Sequence, residues 1–312
     1  MQEIMNGYEL LEPFQNKNAG FSRWTYAIKE NKEYFLKEFL NPVYPREKSI
    51  SSDLRKRCMR DCEEYQLKKK HLYEEVNNVS DGNLVRIFEF FRCDSHYYIS
   101  TEKIQECKNY FKDIAEKSLE DRILLCKTVA HSVKKLHQAH IVHADIKDSN
   151  ILIKQTETGK LIGKIIDYDC SFFEDDPPQD EDELGGDQVY LAPEACQFIC
   201  GDSVQLTCKM DVFALGILFH QYLTGVMPIF DTDEYKYIFE VVLEEQPVQV
   251  SDALTLELQE MLTGMLEKDS EKRLSIEEVY EVLEKVSADS EKEEAENVEK
   301  SEESWFSTGG DL

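Results

Sequence analysis

Residues 143–150 read His-Ala-Asp-Ile-Lys-Asp-Ser-Asn, and a short hairpin separates them from Asp167-Tyr168-Asp169. Ile141-Val142 before this polar stretch and Ile151-Leu152-Ile153 after it are short apolar runs rich in β-branched residues, so the stretch is a loop held between buried segments. A loop fixed at both ends can aim its side chains. Thr156-Glu157-Thr158-Gly159 reads as a turn, and Leu161 to Ile166 as the returning strand that brings Asp167 back to the same place. Asp145, Asn150 and Asp167 are therefore expected to converge. Amide and carboxylate oxygens are the hard ligands that Mg2+ prefers. A carboxylate near a hydroxyl can accept its proton, and Lys147 would neutralise charge on a transferring phosphoryl group. A bland solvated turn has no need of this full spacing.

In these residues the sequence resembles the protein-kinase family, whose catalytic loop reads H-R-D-x-x-x-x-N and whose metal site reads D-F-G. The resemblance covers most of the chain. It implies that Asp145 is the catalytic base, Lys147 the phosphate-facing lysine, and Asn150 and Asp167 the Mg2+ ligands, with ATP as the phosphoryl donor. Lysine at position 147 is similar to the serine/threonine kinases rather than the tyrosine kinases. Tyr34-Phe35-Leu36-Lys37 matches the strand lysine that holds the nucleotide's phosphates. Residues 17–24 occupy the place of the glycine-rich loop but keep one glycine, leaving Ala19, Gly20 and Ser22 as the small residues for close approach to phosphate. Trp24 and Phe35 fall where the family has small residues against adenine. Glu63 and Glu64 compete as the partner of Lys37, and Glu63 is preferred because Leu67 then sits one turn later as an apolar spine residue. Glu102-Lys103-Ile104 is the implied hinge between lobes, with Thr101 guarding the back of the adenine pocket.

Further along, Asp211 is similar to the residue that braces the catalytic-loop backbone, and Glu194 and Arg273 match the family's buried ion pair. Residues 186–194 resemble the family's G-T-x-x-Y-x-A-P-E segment, with Asp187 at the threonine position, where it would pair with Lys147 and repel Asp145. Asp169 replaces the glycine of D-F-G, which adds charge beside the metal and makes switching between loop states harder. Ala144 replaces the arginine that pairs with a loop phosphate, and residues 171–193 contain no threonine. Both absences lead to the expectation of an enzyme that is not activated by a phosphate in its loop. Residues 174–187 hold eight acids and no base. They would attract a basic segment of a protein substrate, repel a wrong one, or be disordered, and disorder is the structural expectation.

The formal net charge is −27, which argues against a nucleic-acid partner. The 174–187 segment and residues 288–312, with nine acids against two lysines, together supply 15 of these charges. Val212 to Phe219 is the best apolar run and is too short to span a bilayer, so no membrane association is expected. The start of the chain is acidic and unlike a signal peptide. With nine cysteines, an odd count, the reading is of reduced thiols in a cytoplasmic protein. Cys58 with Cys62 and Cys196 with Cys200 have helical spacing but read as small core residues. His137, His140 and His143 mimic a metal cluster and are read as packing and loop scaffolding.

The expected fold class is α+β, a bilobal protein-kinase-like fold with a β-rich N-lobe and a mainly α-helical C-lobe. Strands are expected at Tyr8 to Leu11, Phe21 to Ile28, Tyr34 to Leu40, Leu84 to Phe91 and Tyr97 to Thr101. A helix capped by Ser52 or Asp53 should run to about Val76, with Leu54, Cys58, Cys62, Tyr65, Leu72 and Val76 as its apolar stripe. Its basic face reads as solvated surface, or as a dock for the acidic loop. Helices follow at about Glu120 to His137, Leu254 to Leu266 and Ile276 to Val286. The kinase domain is placed at 1–287, with the N-lobe at about 1–104 and the C-lobe at about 105–287, and 288–312 as an acidic disordered tail. Two rival readings stand beside the active kinase: a pseudokinase scaffold and a small-molecule phosphotransferase. The sequence leaves the oligomeric state open.

Overall fold

The computed structural model describes residues 4–16, 22–46, 52–104 and 111–289. The chain divides into two compact units, Met1–Glu106 and Cys107–Leu312. In the first, strands β1 (Ile4–Met5), β2 (Tyr8–Leu10), β3 (Ser22–Lys29) and β4 (Lys32–Phe39) precede helix α1 (Ser52–Val79), and β5 (Ile87–Cys93) and β6 (His96–Glu102) follow it. They form one antiparallel sheet in the order β1-β2-β3-β4-β6-β5. Glu30 and Asn31, both at positive φ, make the two-residue turn that lets β4 fold back on β3. Alternation then sends Ala27 and Leu36 to one face, where they are buried with Tyr8, Leu10 and Tyr98. Glu38 is buried on that face too, and its charge is met by Arg23 Nε at 2.7 Å and the Tyr98 hydroxyl at 2.9 Å.

Helix α1 departs from its expected stripe. It buries Cys62, Leu72, Tyr73 and Val76, but Leu54 is exposed and Leu67 is 70% exposed. Aromatic packing decides the face: Phe90 lies against Tyr65, Tyr73 and Tyr97, and the Tyr97 hydroxyl donates to the Cys62 carbonyl at 2.9 Å.

The second unit opens with α2 (Phe111–Ala115) and α3 (Leu119–Gln138), the latter capped by Ser118 Oγ, which accepts from Asp121 N–H. Strand β7 (Ile141–Val142), the hairpin β8 (Ile151–Gln155) and β9 (Leu161–Ile165), and β10 (Phe172–Phe173) come next. The register pairs Ile151 with Ile165 and Val142 with Phe172. Gly163 lets β9 lie on α3, because a Cβ there would stand 2.4 Å from Val129 Cγ2. Helices α4 (Pro193–Ile199), α5 (Lys209–Thr224), α6 (Ile238–Leu243) and α7 (Leu256–Met265) follow, and α8 spans 276–289. Every residue of α5 from Met210 to Leu223 is buried, so the helix is covered on all sides. It ends at Gly225, which takes the left-handed conformation at φ 81°.

A sheet-rich first unit and a helical second unit give the α+β, two-lobed arrangement that the sequence implied. Two expectations need correction. The 174–187 segment is not a disordered loop: Glu174 N–H donates to the His140 carbonyl, Glu174 Oε1 accepts from Cys208 N–H, and a short 3-10 turn forms at Glu181–Glu183. Residues 288 and 289 continue α8 rather than begin a tail, and the rest of the proposed tail lies outside the described residues. Among the described residues no helix is long and apolar enough to cross a membrane.

Candidate active site

The polar loop enters from β7 and leaves through β8, and a single buried carboxylate fixes its backbone. Asp211, near the start of α5, accepts from His143 N–H at 2.8 Å and from Ala144 N–H at 2.9 Å, while His137 Nε2 donates to it at 2.9 Å. These bonds hold Ala144 at φ 63°, a conformation that costs a non-glycine residue energy unless its surroundings enforce it. Asp145 is turned out of that bend. Its Oδ2 accepts from Asn150 Nδ2 at 2.8 Å and lies 2.8 Å from Lys147 Nζ, which also donates to Oδ1 at 3.0 Å. Asn150 Nδ2 additionally donates to the Asp145 carbonyl at 2.8 Å. Asp145, Lys147 and Asn150 are therefore brought together within one loop.

Asp167 follows β9 and is tied to the same loop through its neighbours. Ile166 N–H donates to the Asn150 carbonyl at 3.0 Å, and His143 Nε2 donates to the Ile166 carbonyl at 3.1 Å. Asp167 itself sits at φ 66°, with Oδ1 accepting a long 3.4 Å bond from Asp169 N–H. Tyr168 is buried, its ring edge-on to His143 and its hydroxyl donating to the Ile165 carbonyl at 3.2 Å. Ser171 Oγ donates to the His143 carbonyl at 3.0 Å. Sequence reasoning missed the ties made by His137, Tyr168 and Ser171. No local pattern announces them: His137 and Ser171 reach partners remote in sequence, and the Tyr168 hydroxyl bonds a backbone carbonyl, which carries no side-chain signature.

The remaining candidates belong to the first unit. Ser22 is buried at the start of β3, while Ala19 and Gly20 lie outside the described residues. Lys37 lies mid-strand in β4, opposite Trp24 on one side and Ile99 on the other. Trp24 stacks on Phe35 with centroids 5.6 Å apart, and Tyr26 packs edge-on against both rings. Glu102 is the last residue of β6, its N–H donating to the Arg86 carbonyl and its carboxylate accepting from Arg86 N–H at 2.9 Å. It is thus strand-bound, and Ile104 follows half-buried. Glu63 and Glu64 both lie on the exposed side of α1, where Glu63 accepts from the Tyr44 hydroxyl and Glu64 pairs with Lys68. Because Leu67 is exposed as well, the reason for preferring Glu63 is gone.

A family model described as "Protein kinase domain" matches residues 48–283. The chain belongs to the protein kinase family. The match includes Glu63, Glu102, Ile104, Asp145, Lys147, Asn150 and Asp167, and it begins after β4, so Lys37 and Ser22 fall outside it. The serine/threonine-protein kinase PSK2 of Saccharomyces cerevisiae is 29% identical over 215 residues, covering 66% of this chain and 18% of that protein. An Aurora kinase of Dictyostelium discoideum is 27% identical over 218 residues, 69% of this chain and 53% of the relative. A calcium/calmodulin-dependent protein kinase kinase of Caenorhabditis elegans is 28% identical over 218 residues, 67% and 35% respectively. The chain thus spans from about a fifth to about half the length of these relatives.

Protein kinases use ATP with Mg2+, and the second unit offers a matching set of oxygen donors. Both side-chain hydrogen bonds of Asn150 are made by Nδ2, so its Oδ1 keeps its acceptor capacity, and Asp167 adds a carboxylate on the segment whose Ile166 N–H is bonded to the Asn150 carbonyl. Among the described residues no group of three or more histidine, cysteine, aspartate or glutamate side chains is gathered to hold a metal ion. The kinase threonine position is handled differently here. Asp187 Oδ1 accepts from Val189 N–H at 3.0 Å, capping its own turn, while Lys147 is engaged with Asp145. Gly186, at φ 129°, lets this turn approach the loop, because a Cβ there would stand 3.1 Å from the Ala144 carbonyl oxygen. Glu174 is held below the usual carboxylate range. Burial works against this, but the Cys208 N–H and then His140 prevail.

Proposed function

We propose that this chain is an ATP-dependent protein kinase that transfers the γ-phosphate to serine or threonine hydroxyls of a protein, without being switched by a phosphate in residues 171–193. The observation that carries the reading is the Asp145 carboxylate, held by Asn150 and Lys147 at 2.8 Å each on a loop that Asp211 braces. Asp145 orients the substrate hydroxyl and takes its proton, and Asn150 and the Asp211 brace fix the direction in which it points. Lys147 lowers the cost of charge building on the transferring group. Mg2+, held by Asn150 and Asp167, would neutralise phosphate charge. Lys37 is the nucleotide-facing lysine of the first unit. Ala144 supports independence from a loop phosphate, since no arginine stands there to receive one. The described cysteines are free thiols, which supports a reducing, cytoplasmic setting.

The test is transfer of labelled γ-phosphate from Mg-ATP to the protein itself and to a basic generic protein substrate. Asp145→Ala and Asp167→Ala serve as controls, with phosphosite mapping. Transfer to serine or threonine that both variants abolish is the expected result; transfer to tyrosine, or transfer that survives Asp145→Ala, overturns it. The Trp24–Phe35 stack on the strand face of Lys37 favours a second reading, a scaffold whose nucleotide face is filled by rings. Absence of a thermal shift with Mg-ATP would select that reading.

A further inference from the structure

The segment from the end of α5 to the start of α7 encloses a groove of about 360 Å³, which shares no lining residue with the Asp145 loop. Its apolar lining comes from Ile229, Phe230, Val241 and Pro247, and Asp231 and Glu234 stand on it as carboxylates. The groove is built rather than a gap between loops. Ile229 N–H donates to the Gln249 carbonyl at 2.9 Å and Gln249 N–H to the Ile229 carbonyl at 2.8 Å, tying its two sides. Tyr235 N–H donates to the Asp231 carbonyl, and the Tyr235 hydroxyl to Glu244 at 2.8 Å. Ile229 nevertheless remains 60% exposed. No basic side chain lines the groove. The volume falls in the range of binding pockets, roughly 300 to 1,000 Å³, and an apolar floor with a few placed polar groups is their usual make-up.

Charge selects the occupant. Trp305-Phe306 of this chain lies among nine acids and two lysines, and a second copy carries a net charge of −27, so both meet like charge at this rim. A basic segment meets the opposite sign. We infer that the groove docks a segment of the protein substrate in which an aliphatic or aromatic side chain is flanked by arginine or lysine. The apolar side chain fills the space over Ile229 and Val241, and the cation pairs with Glu234. The inference rests on the protein-kinase reading of the Asp145 loop and names the substrate feature that reading leaves open. A bond joins the two regions: the Tyr237 hydroxyl donates to Gln188 Oε1 at 2.7 Å, in the same turn as Asp187, which lines a small cavity with Asp145. Docking here raises the local concentration of the substrate hydroxyl without new contacts at the reacting atoms.

The test is fluorescence anisotropy of short labelled peptides with leucine between arginines, against versions with serine for leucine or glutamate for arginine. It uses the full chain, its Asp145→Ala variant, and the surface variants Ile229→Glu and Glu234→Lys. Binding should require both the leucine and the arginines, survive Asp145→Ala, and weaken about tenfold or more in each surface variant, as the loss of a paired charge or a central apolar anchor does. Adding the motif to a generic substrate should lower KM at unchanged kcat, and Ile229→Glu should reverse it. Equal binding of the acidic peptides, or binding indifferent to both surface variants, overturns the inference. Selective peptide binding by a chain that transfers no phosphate would retain the dock and overturn the kinase reading instead.

Discussion

Lys147 Nζ lies 2.8 Å from Asp145 Oδ2, the same oxygen that accepts from Asn150 Nδ2. One carboxylate oxygen is thus held by two donors from a single turn of loop. Asp145→Ala should lower kcat about 10²- to 10⁴-fold, the range for a positioned general base. Lys147→Ala should cost about 10²-fold, as loss of one preorganised donor does. Both variants should unfold within about 1 kcal/mol of the parent, because the pair is partly solvated. Initial rates and urea titrations check this, and equal loss of stability and rate would show that the pair is structural.

The Tyr168 hydroxyl reaches the Ile165 carbonyl from a buried ring. Tyr168→Phe keeps the ring against His143 and removes that bond, so it should destabilise by about 1 kcal/mol. Hydrogen exchange at residues 166–172 should quicken more than in α5, since the other ties of this segment to His143 persist. Uniform change across both regions would contradict a local role.

Arg273 is buried and grips both oxygens of Glu194, at 2.6 and 3.0 Å, while donating to backbone carbonyls of Glu267 and Lys209. Arg273→Ala would leave a buried carboxylate without its cation and should cost about 3–5 kcal/mol. The double variant Glu194→Leu with Arg273→Met should recover much of this in urea unfolding. A single-variant cost below about 1 kcal/mol, the worth of an exposed pair, would contradict the burial argument.

His220, 1% exposed, donates from Nδ1 to the Val226 carbonyl at 2.9 Å and accepts at Nε2 from Ser251 N–H at 3.1 Å. Burial pushes its pKa down, and the Val226 carbonyl opposes that shift. Because the unfolded chain takes up the proton more readily, its contribution to stability is full above the ordinary imidazole value of about 6.5. That contribution is lost as pH falls through the lower folded value. His220→Gln should therefore lose less stability than the parent on acidification from about pH 7.5 to about pH 5.5, a window that spans the ordinary value. Parallel acid slopes in urea titrations would remove His220 as the source.

Local sequence determined most of the reaction loop. The spacing of Asp145, Lys147 and Asn150 between β-branched runs, with a hairpin returning Asp167, depends on neighbours within a few residues, and backbone geometry then leaves little freedom. The same holds for β3 and β4, where alternation and a two-residue turn set the register. Tertiary structure alone decided which side of α1 is buried, because aromatic rings from β5 and β6 compete with its aliphatic residues and leave Leu67 outside. It also decided that the acidic 174–187 segment is placed, since the Cys208 N–H and His140 compensate the Glu174 charge from elsewhere in the chain. The three donors on Asp211, and the bonds made by Tyr168 and Ser171, are likewise long-range or backbone-directed. Such pairings leave no periodic trace in a sequence, because a hydrogen bond to a carbonyl is blind to the side chain that carbonyl bears.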